Sequence, residues 1–276
     1  MSSLNELLGR WRDDLSAWAI PADITSGVAE SPWVLPRQVF ARRADRLART
    51  PAGASYEREW EALAPSGTVL DVGSGAGAAC LPLAPRATSV TAVDIDERML
   101  ALLADRASAI GLDLRTVAGR WPDAASQVRP ADVVTCHHVI YNVPDLGPFL
   151  TALTDHARRR VVVETTAEHP LTSLSSLWLR FHGLTRPTSP TAADLLAILS
   201  EMGLKARHTE WSRPAEADYA SFAELVDVTR RRLCLPPERA SEVEAALLDM
   251  GIIRERPGDL GSSGREVVTI WWEGTT

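Results

Sequence analysis

Val69-Leu70-Asp71-Val72-Gly73-Ser74-Gly75-Ala76-Gly77 joins an apolar run of strand-like composition to glycines at alternate positions. Lacking Cβ, those glycines let the backbone turn tightly and approach a ligand closely. A helix predicted over Ala76–Leu83 would aim free N–H groups and a positive dipole end at the turn, which suits a carboxylate. Further along, a second apolar run ends at Asp94. A carboxylate there can accept hydrogen bonds from both hydroxyls of a ribose, as on other nucleoside-binding sheets. A glycine-rich turn alone is a weak signal. Strand, turn, helix, strand and terminal acid in that order are a specific one.

The same alternation extends outward. Strands are predicted at Thr68–Val72, Val90–Asp94, Leu112–Val117, Asp132–Cys136 and Arg160–Glu164, separated by helices at Ala76–Leu83, Asp96–Ile110 and Asp145–Ala157. Asp96 reads as an N-cap and Gly111 as a C′ residue. A helix over Thr191–Met202, a strand over Leu204–Trp211 and a last strand over Glu266–Trp272 complete the pattern. The expected fold is α/β: a doubly wound, mostly parallel seven-stranded Rossmann-like sheet with helices on both faces. Ligands on such sheets sit beyond the carboxyl ends of the strands, where strand order reverses.

Two regions fall outside the alternation. Residues 1–64 read as an N-terminal helical cap. Ser3 and Glu6 form a capping box, Leu4, Leu7, Leu8, Trp11, Leu15 and Trp18 recur at helical spacing, and Pro21 ends the helix. The turn-rich stretch 29–33 then leads to helices at Pro36–Leu47 and Tyr56–Leu63. Residues 65–276 form the main domain, with a helical insertion at about 212–264 (helical over Asp218–Met250, then a Gly/Ser-rich loop over Pro257–Gly264).

The glycine pattern separates two ligand classes. Dinucleotide-binding dehydrogenases use G-x-G-x-x-G, with a phosphate on the helix. Here the order is Gly73-Ser74-Gly75-Ala76-Gly77, with Asp71 two residues before the first glycine. A carboxylate in that place suits a positively charged amino acid tail better than a pyrophosphate.

On these residues the chain resembles the class I S-adenosylmethionine-dependent methyltransferases. The resemblance implies S-adenosyl-L-methionine as cofactor, with Asp71, Gly73, Ser74, Gly75 and Gly77 around its methionine part. Asp94 would then hold the ribose, and Ile95 would lie against adenine. Ala131 to Asp145 resembles the fourth strand and following helix of small-molecule methyltransferases. Within it, Ile140-Tyr141-Asn142-Val143 is similar to a stretch in the ubiquinone and menaquinone C-methyltransferases. The resemblance spans roughly Gly67 to Trp211 plus the final strand. One departure is Gly119-Arg120-Trp121-Pro122, where the family often has Gly-Asp. Arginine accepts no hydrogen bond, so Trp121 stacking on the ring or Asp123 as acceptor are the alternatives, beside Trp121 as plain core.

The sulfonium of such a cofactor makes its methyl electrophilic, leaving the protein to align a nucleophile in a dry site. A hydroxyl acceptor calls for a base, most commonly histidine. His137 and His138 follow the fourth strand, and strand alternation allows only one of them to face the acceptor. His138, further past the strand end, is the candidate base. His137 would flank the cofactor through its backbone, and Tyr141 and Asn142 would contact the substrate. A metal site built from Cys136, His137 and His138 is excluded, since consecutive strand side chains do not converge. Arg42 and Arg43 lie on a helix that either grips the cofactor carboxylate or presents a solvated face.

Composition fits a soluble protein: 45% hydrophobic, 24% charged, without an apolar run near the roughly 20 residues of a membrane span. The expected setting is cytoplasmic. Cys80, Cys136 and Cys234 are far apart and form no metal or disulfide framework. A net charge of -7 argues against a polyanionic partner, although the runs Arg158–Arg160 and Arg230–Arg232 leave nucleic acid as an alternative to helix-end positions. Methylation of a small molecule is therefore the expected function. An RNA or protein methyltransferase, and a non-catalytic cofactor-binding scaffold or sensor, are the rivals.

Overall fold

The computed structural model describes residues 3–26, 28, 31–33, 35–213, 218–255, 257, 260 and 266–275. Most of the Gly/Ser-rich loop read at 257–264, and residues 29 and 30 of the turn-rich stretch, lie outside them. Four helices come first: α1 (Leu4–Ser16), α2 (Ala22–Thr25), α3 (Arg37–Arg49) and α4 (Ala54–Ala62). The sheet follows through β1 (Gly67–Val72), β2 (Ala87–Asp94), α5 (Glu97–Ala109), β3 (Leu114–Ala118), β4 (Ala131–His137), α6 (Leu146–Asp155) and β5 (Ala157–Thr166). Next are α7 (Ser175–His182), α8 (Ala192–Glu201), β6 (Arg207–Ser212), α9 (Phe222–Arg232), α10 (Ala240–Asp249) and β7 (Glu266–Glu273).

The seven strands form one sheet in the order β3-β2-β1-β4-β5-β7-β6. β1 to β5 run parallel, and β7 pairs antiparallel with both β5 and β6. Strand order reverses between β1 and β4, so the carboxyl ends of those two strands border the crevice where a ligand binds.

Side-chain alternation divides the sheet's burial between two faces. Leu70, Val72, Val134, Cys136, Val161 and Val163 face a core shared with α1, α6 and α8. Val69, Val90, Ala92 and Val133 face the opposite core, shared with α3 and α5. Trp11 is fixed further because its indole N–H donates to Val143 O at 2.8 Å, tying α1 to the loop after β4. A third core joins Leu35 and Val39 to α7, α9 and α10. The cap and the late helices therefore pack on each other as well as on the sheet. Capping agrees with the sequence: Ser3 and Glu6 bond reciprocally, Asp96 caps α5, and Gly111 takes φ +67 just after that helix.

Two expectations are corrected. No α-helix forms over Ala76–Leu83; the chain passes through turns and a single 3-10 turn at Leu81–Leu83. Gly73, Gly75 and Gly77 all take positive φ, and Pro82 lacks an N–H, so helical bonding cannot propagate. The dipole end expected behind the glycine turn is therefore missing. In addition, β5 begins at Ala157, so Arg158–Arg160 lie on a strand, with Arg159 on Asp132 (3.2 Å) and Arg160 on Glu61 (3.0 Å). Arg230–Arg232 do form the last turn of α9. Among the described residues no helix is long and apolar enough to cross a membrane.

Candidate active site

At the end of β1 the chain turns back on β2. The Gly73 and Ser74 N–H groups donate to Val93 O at 2.8 and 3.2 Å. Gly73 takes φ +73, and a Cβ there would sit 2.2 Å from Val139 Cγ2, so only glycine fits between the two strand ends. Asp94 locks the turn, accepting from Gly75 N–H at 2.8 Å through one carboxyl oxygen and from Asp96 N–H at 2.9 Å through the other. Each oxygen retains a second lone pair for a sugar hydroxyl.

These residues border a cavity of about 1090 Å³, which also takes in Ile95, His137, His138, Tyr141 and Asn142. Ile95 is 66% exposed, an apolar surface suited to a flat base. Asp71 lies beneath the turn, fully buried, and neither carboxyl oxygen is hydrogen-bonded at normal geometry. Burial pushes its carboxyl up to about 7, against the Cys80 thiol and His137, which pull it down. A buried carboxyl group without an ion-pair partner calls for a cationic one.

Past β4 the alternation breaks. Val133, Thr135 and His137 face the α4 side, where Glu59 is 1% exposed and accepts from Thr135 Oγ1. The His137 Nε2 is 2.8 Å from the same Glu59 oxygen. Desolvation works against the His137 cation, but Glu59 and Glu164 outweigh it and raise the imidazole to about 9. His138 then takes φ +58, which turns its side chain out of strand register. Both histidines consequently line the cavity, correcting the expectation that only one would face it.

His138 Nε2 lies 2.9 Å from Oε1 of Glu164, which pairs in register with His137 on the neighbouring strand. Burial lowers His138 to about 4, and Arg213 and His137 add to that against the pull of Glu164. Burial opposes the Glu164 charge, but Arg213 and His137 hold its carboxyl well below the usual range. Glu164 lies closer to Nε2 than the two Arg213 nitrogens, which are 3.4 and 3.5 Å from the same atom, so a neutral imidazole donates its Nε2–H to the carboxylate and leaves the lone pair on Nδ1. That atom is buried without a partner.

Gly77 and Trp121 do not border the cavity. Gly77 packs under Leu81 and Leu103. Trp121 is buried in the α6 core, with its N–H on Phe149 O at 3.3 Å and its ring edge-on to His156, which does not fit ring stacking on a base. Arg42 and Arg43 do not form a solvated face. Arg42 makes two bonds to Glu224, at 2.9 and 2.8 Å, and Arg43 pairs with Asp218 at 3.3 Å.

Glu59, Glu164 and Arg213 were not singled out in the sequence. Glu164 carried a readable signal, an acid closing the run Val161-Val162-Val163 at a strand's carboxyl end. Glu59 and Arg213 carried none, because only the tertiary fold brings them to β4. Among the described residues no group of His, Cys, Asp and Glu is placed to hold a metal ion.

Comparison with known proteins bears on this geometry. Residues 40–209 match a family model described as "Methyltransferase domain". A ubiquinone biosynthesis O-methyltransferase of Caulobacter vibrioides is 34% identical over 149 residues, and one of Caulobacter sp. strain K31 is 32% identical over the same length. Each alignment covers 49% of this chain and only 58% of the relative. In three dimensions the YcgJ protein of Bacillus subtilis is similar, with a TM-score of 0.50 at 16% identity, over 85% of this chain and 99% of that one. That likeness concerns the fold alone.

Proposed function

The chain belongs to the methyltransferase-domain family matched over residues 40–209, and from that premise we propose that it methylates a hydroxyl of a small molecule using S-adenosyl-L-methionine. The observation that carries this reading is a single cavity lined by Asp71, Asp94 and His138 together. Its volume, about 1090 Å³, is at the upper end of the roughly 300–1,000 Å³ typical of one ligand. That leaves room for a cofactor and an acceptor together.

The residues suit the cofactor. Asp71, which has no cationic partner within ion-pair distance among the described residues, would take the ammonium group of its amino acid tail. Asp94 would hold the ribose hydroxyls, and Ile95 would cover one face of the adenine. When bound, S-adenosyl-L-methionine supplies an electrophilic methyl group on a sulfonium. The chain's own work is on the acceptor. Glu164 orients the His138 ring, and the imidazole would take the hydroxyl proton as the oxygen becomes nucleophilic. Tyr141 and Asn142 line the wall beside it. His137, held by Glu59, braces the end of β4 and is not free to exchange protons near neutrality.

The test is methyl transfer from labelled S-adenosyl-L-methionine into a metabolite extract and, separately, into bulk RNA. Label in the metabolites, lost with Asp94→Ala, is the expected result. Label in RNA alone would replace the acceptor class. Cofactor binding without transfer into either would replace the enzyme by a scaffold.

A further inference from the structure

We propose that the acceptor is a flat, largely apolar molecule carrying a carboxylate, which is held by Arg232 at the end of the cavity formed by the cap and the late helices; this rests on the acceptor reading above. Arg232 projects from the last turn of α9 and is 8% exposed. Its Nη1 makes one long bond to Leu260 O at 3.4 Å, and its buried Nε has no partner. Arg186 lies across the same recess, equally buried, with its Nη1 on Ala19 O at 3.3 Å, its Nη2 on Trp18 O and its Nε also without a partner. Among the described residues neither arginine forms an ion pair, whereas Arg42, Arg43, Arg46, Arg106, Arg160 and Arg213 all do.

Two buried guanidinium groups without a carboxylate among the described residues are costly, since a desolvated charge needs an opposite one. Arg186 is explained in part: it clamps two carbonyls at the end of α1 and lies over the Trp18 and Trp178 rings at 5.3 and 5.1 Å. Arg232 has no such explanation, and it borders both the main cavity and the recess. Its planar fork matches a carboxylate with two parallel bonds.

The aromatic wall of the same cavity indicates the shape of the molecule. His138, Tyr141, His169 and Trp18 follow one another with ring centroids 6.4, 5.7 and 3.9 Å apart, the last pair stacked at 19°. Burial and Arg186 depress His169 to about 3, so its ring is neutral and packs as an aromatic one. Such a wall suits a planar body, placed in this proposal with its hydroxyl toward His138 and its carboxylate toward Arg232.

The experiment uses 6-hydroxy-2-naphthoate and its neutral isostere 6-hydroxy-2-naphthamide as probes. Binding of S-adenosyl-L-methionine to the full chain is measured first by calorimetry, and each probe is then titrated into the loaded protein. We expect the acid to bind about tenfold or more tighter than the amide. Arg232→Gln should reduce the acid to the level of the amide, and Arg232→Lys should restore part of the preference. Equal binding of acid and amide by the native chain overturns the inference without needing any variant to fold. So does a preference that survives in Arg232→Gln, or the failure of both probes to bind the loaded protein. Absence of cofactor binding would instead sink the reading on which the inference rests.

Discussion

His138 Nε2 and Glu164 Oε1 are 2.9 Å apart, a shorter contact than the 3.4 and 3.5 Å at which Arg213 approaches the same imidazole nitrogen. Because His138 sits at about 4 in the free protein, it is already neutral at physiological pH. The kcat/KM for a hydroxyl acceptor should rise as pH increases through about 4 and show no histidine step near 6.5. His138→Ala should lower the rate by roughly 100- to 10,000-fold, with cofactor affinity retained. Glu164→Gln should lower it as well, because the tautomer is no longer fixed. A His138→Ala enzyme with native turnover would remove the base from the mechanism.

Asp71 gives cofactor binding its own pH dependence. Its carboxyl is raised to about 7 by burial, and an ammonium placed against it favours the carboxylate. Binding near neutrality should therefore release a proton, and affinity should fall about tenfold per pH unit below 7. Calorimetry in buffers of different ionisation enthalpy reads the proton directly. Asp71→Asn should abolish the release while weakening binding, and buffer-independent heats in the native protein would contradict the pairing.

His137 links stability to pH with the opposite bias. Its folded value of about 9 lies above the ordinary 6.5, so the folded state holds a proton that the unfolded chain has lost. That contribution is fully present below pH 6.5 and disappears as pH rises through 9. It amounts to roughly 3 kcal/mol at most. The urea midpoint should accordingly fall between pH 7 and 9.5, and His137→Gln should flatten the decline. A native midpoint that stays level across that range would mean the imidazole is not charged by Glu59.

Much of this arrangement was legible in the sequence because it depends on local chemistry. Asp71, Gly73, Gly75 and Asp94 announce themselves by spacing, and strand positions follow from short apolar runs alternating with helical stretches. What escaped depends on neighbours remote in the chain. Glu59 lies on an unremarkable short helix and acquires meaning only when α4 packs beneath β4. His138 leaves strand register through a single positive φ, which no propensity signals. The missing helix after Gly77 shows a strong family pattern overridden by adjacent glycines and Pro82. Arg232 reads as an ordinary helix-end charge in the sequence, and only the fold shows it buried with no carboxylate partner among the described residues.

Gly73 offers a steric test. A methyl group there meets Val139 Cγ2 at 2.2 Å and also forces alanine into positive φ. Gly73→Ala should weaken cofactor binding by at least about tenfold, combining a backbone cost of about 1 kcal/mol with the clash. Adding Val139→Ala removes the clash and should recover part of the loss, leaving only the backbone cost. Full affinity in Gly73→Ala would show that the turn is looser than this packing implies.

Asp218 tests how the cap is held to the late helices. It is buried and accepts from Arg46 at 2.9 Å and Arg43 at 3.4 Å, bridging α3 to the segment before α9. Removing one partner of a buried ion pair leaves the other charge desolvated and uncompensated, at a cost of about 3–5 kcal/mol. Asp218→Asn should therefore lower the unfolding free energy by that order. Arg42→Ala, which breaks the half-exposed pair with Glu224, should cost about 1 kcal/mol. If the two variants were equally mild in urea denaturation, the α3 junction would owe its strength to the apolar contacts of Leu35 and Val39, and the buried charge cluster would contribute little.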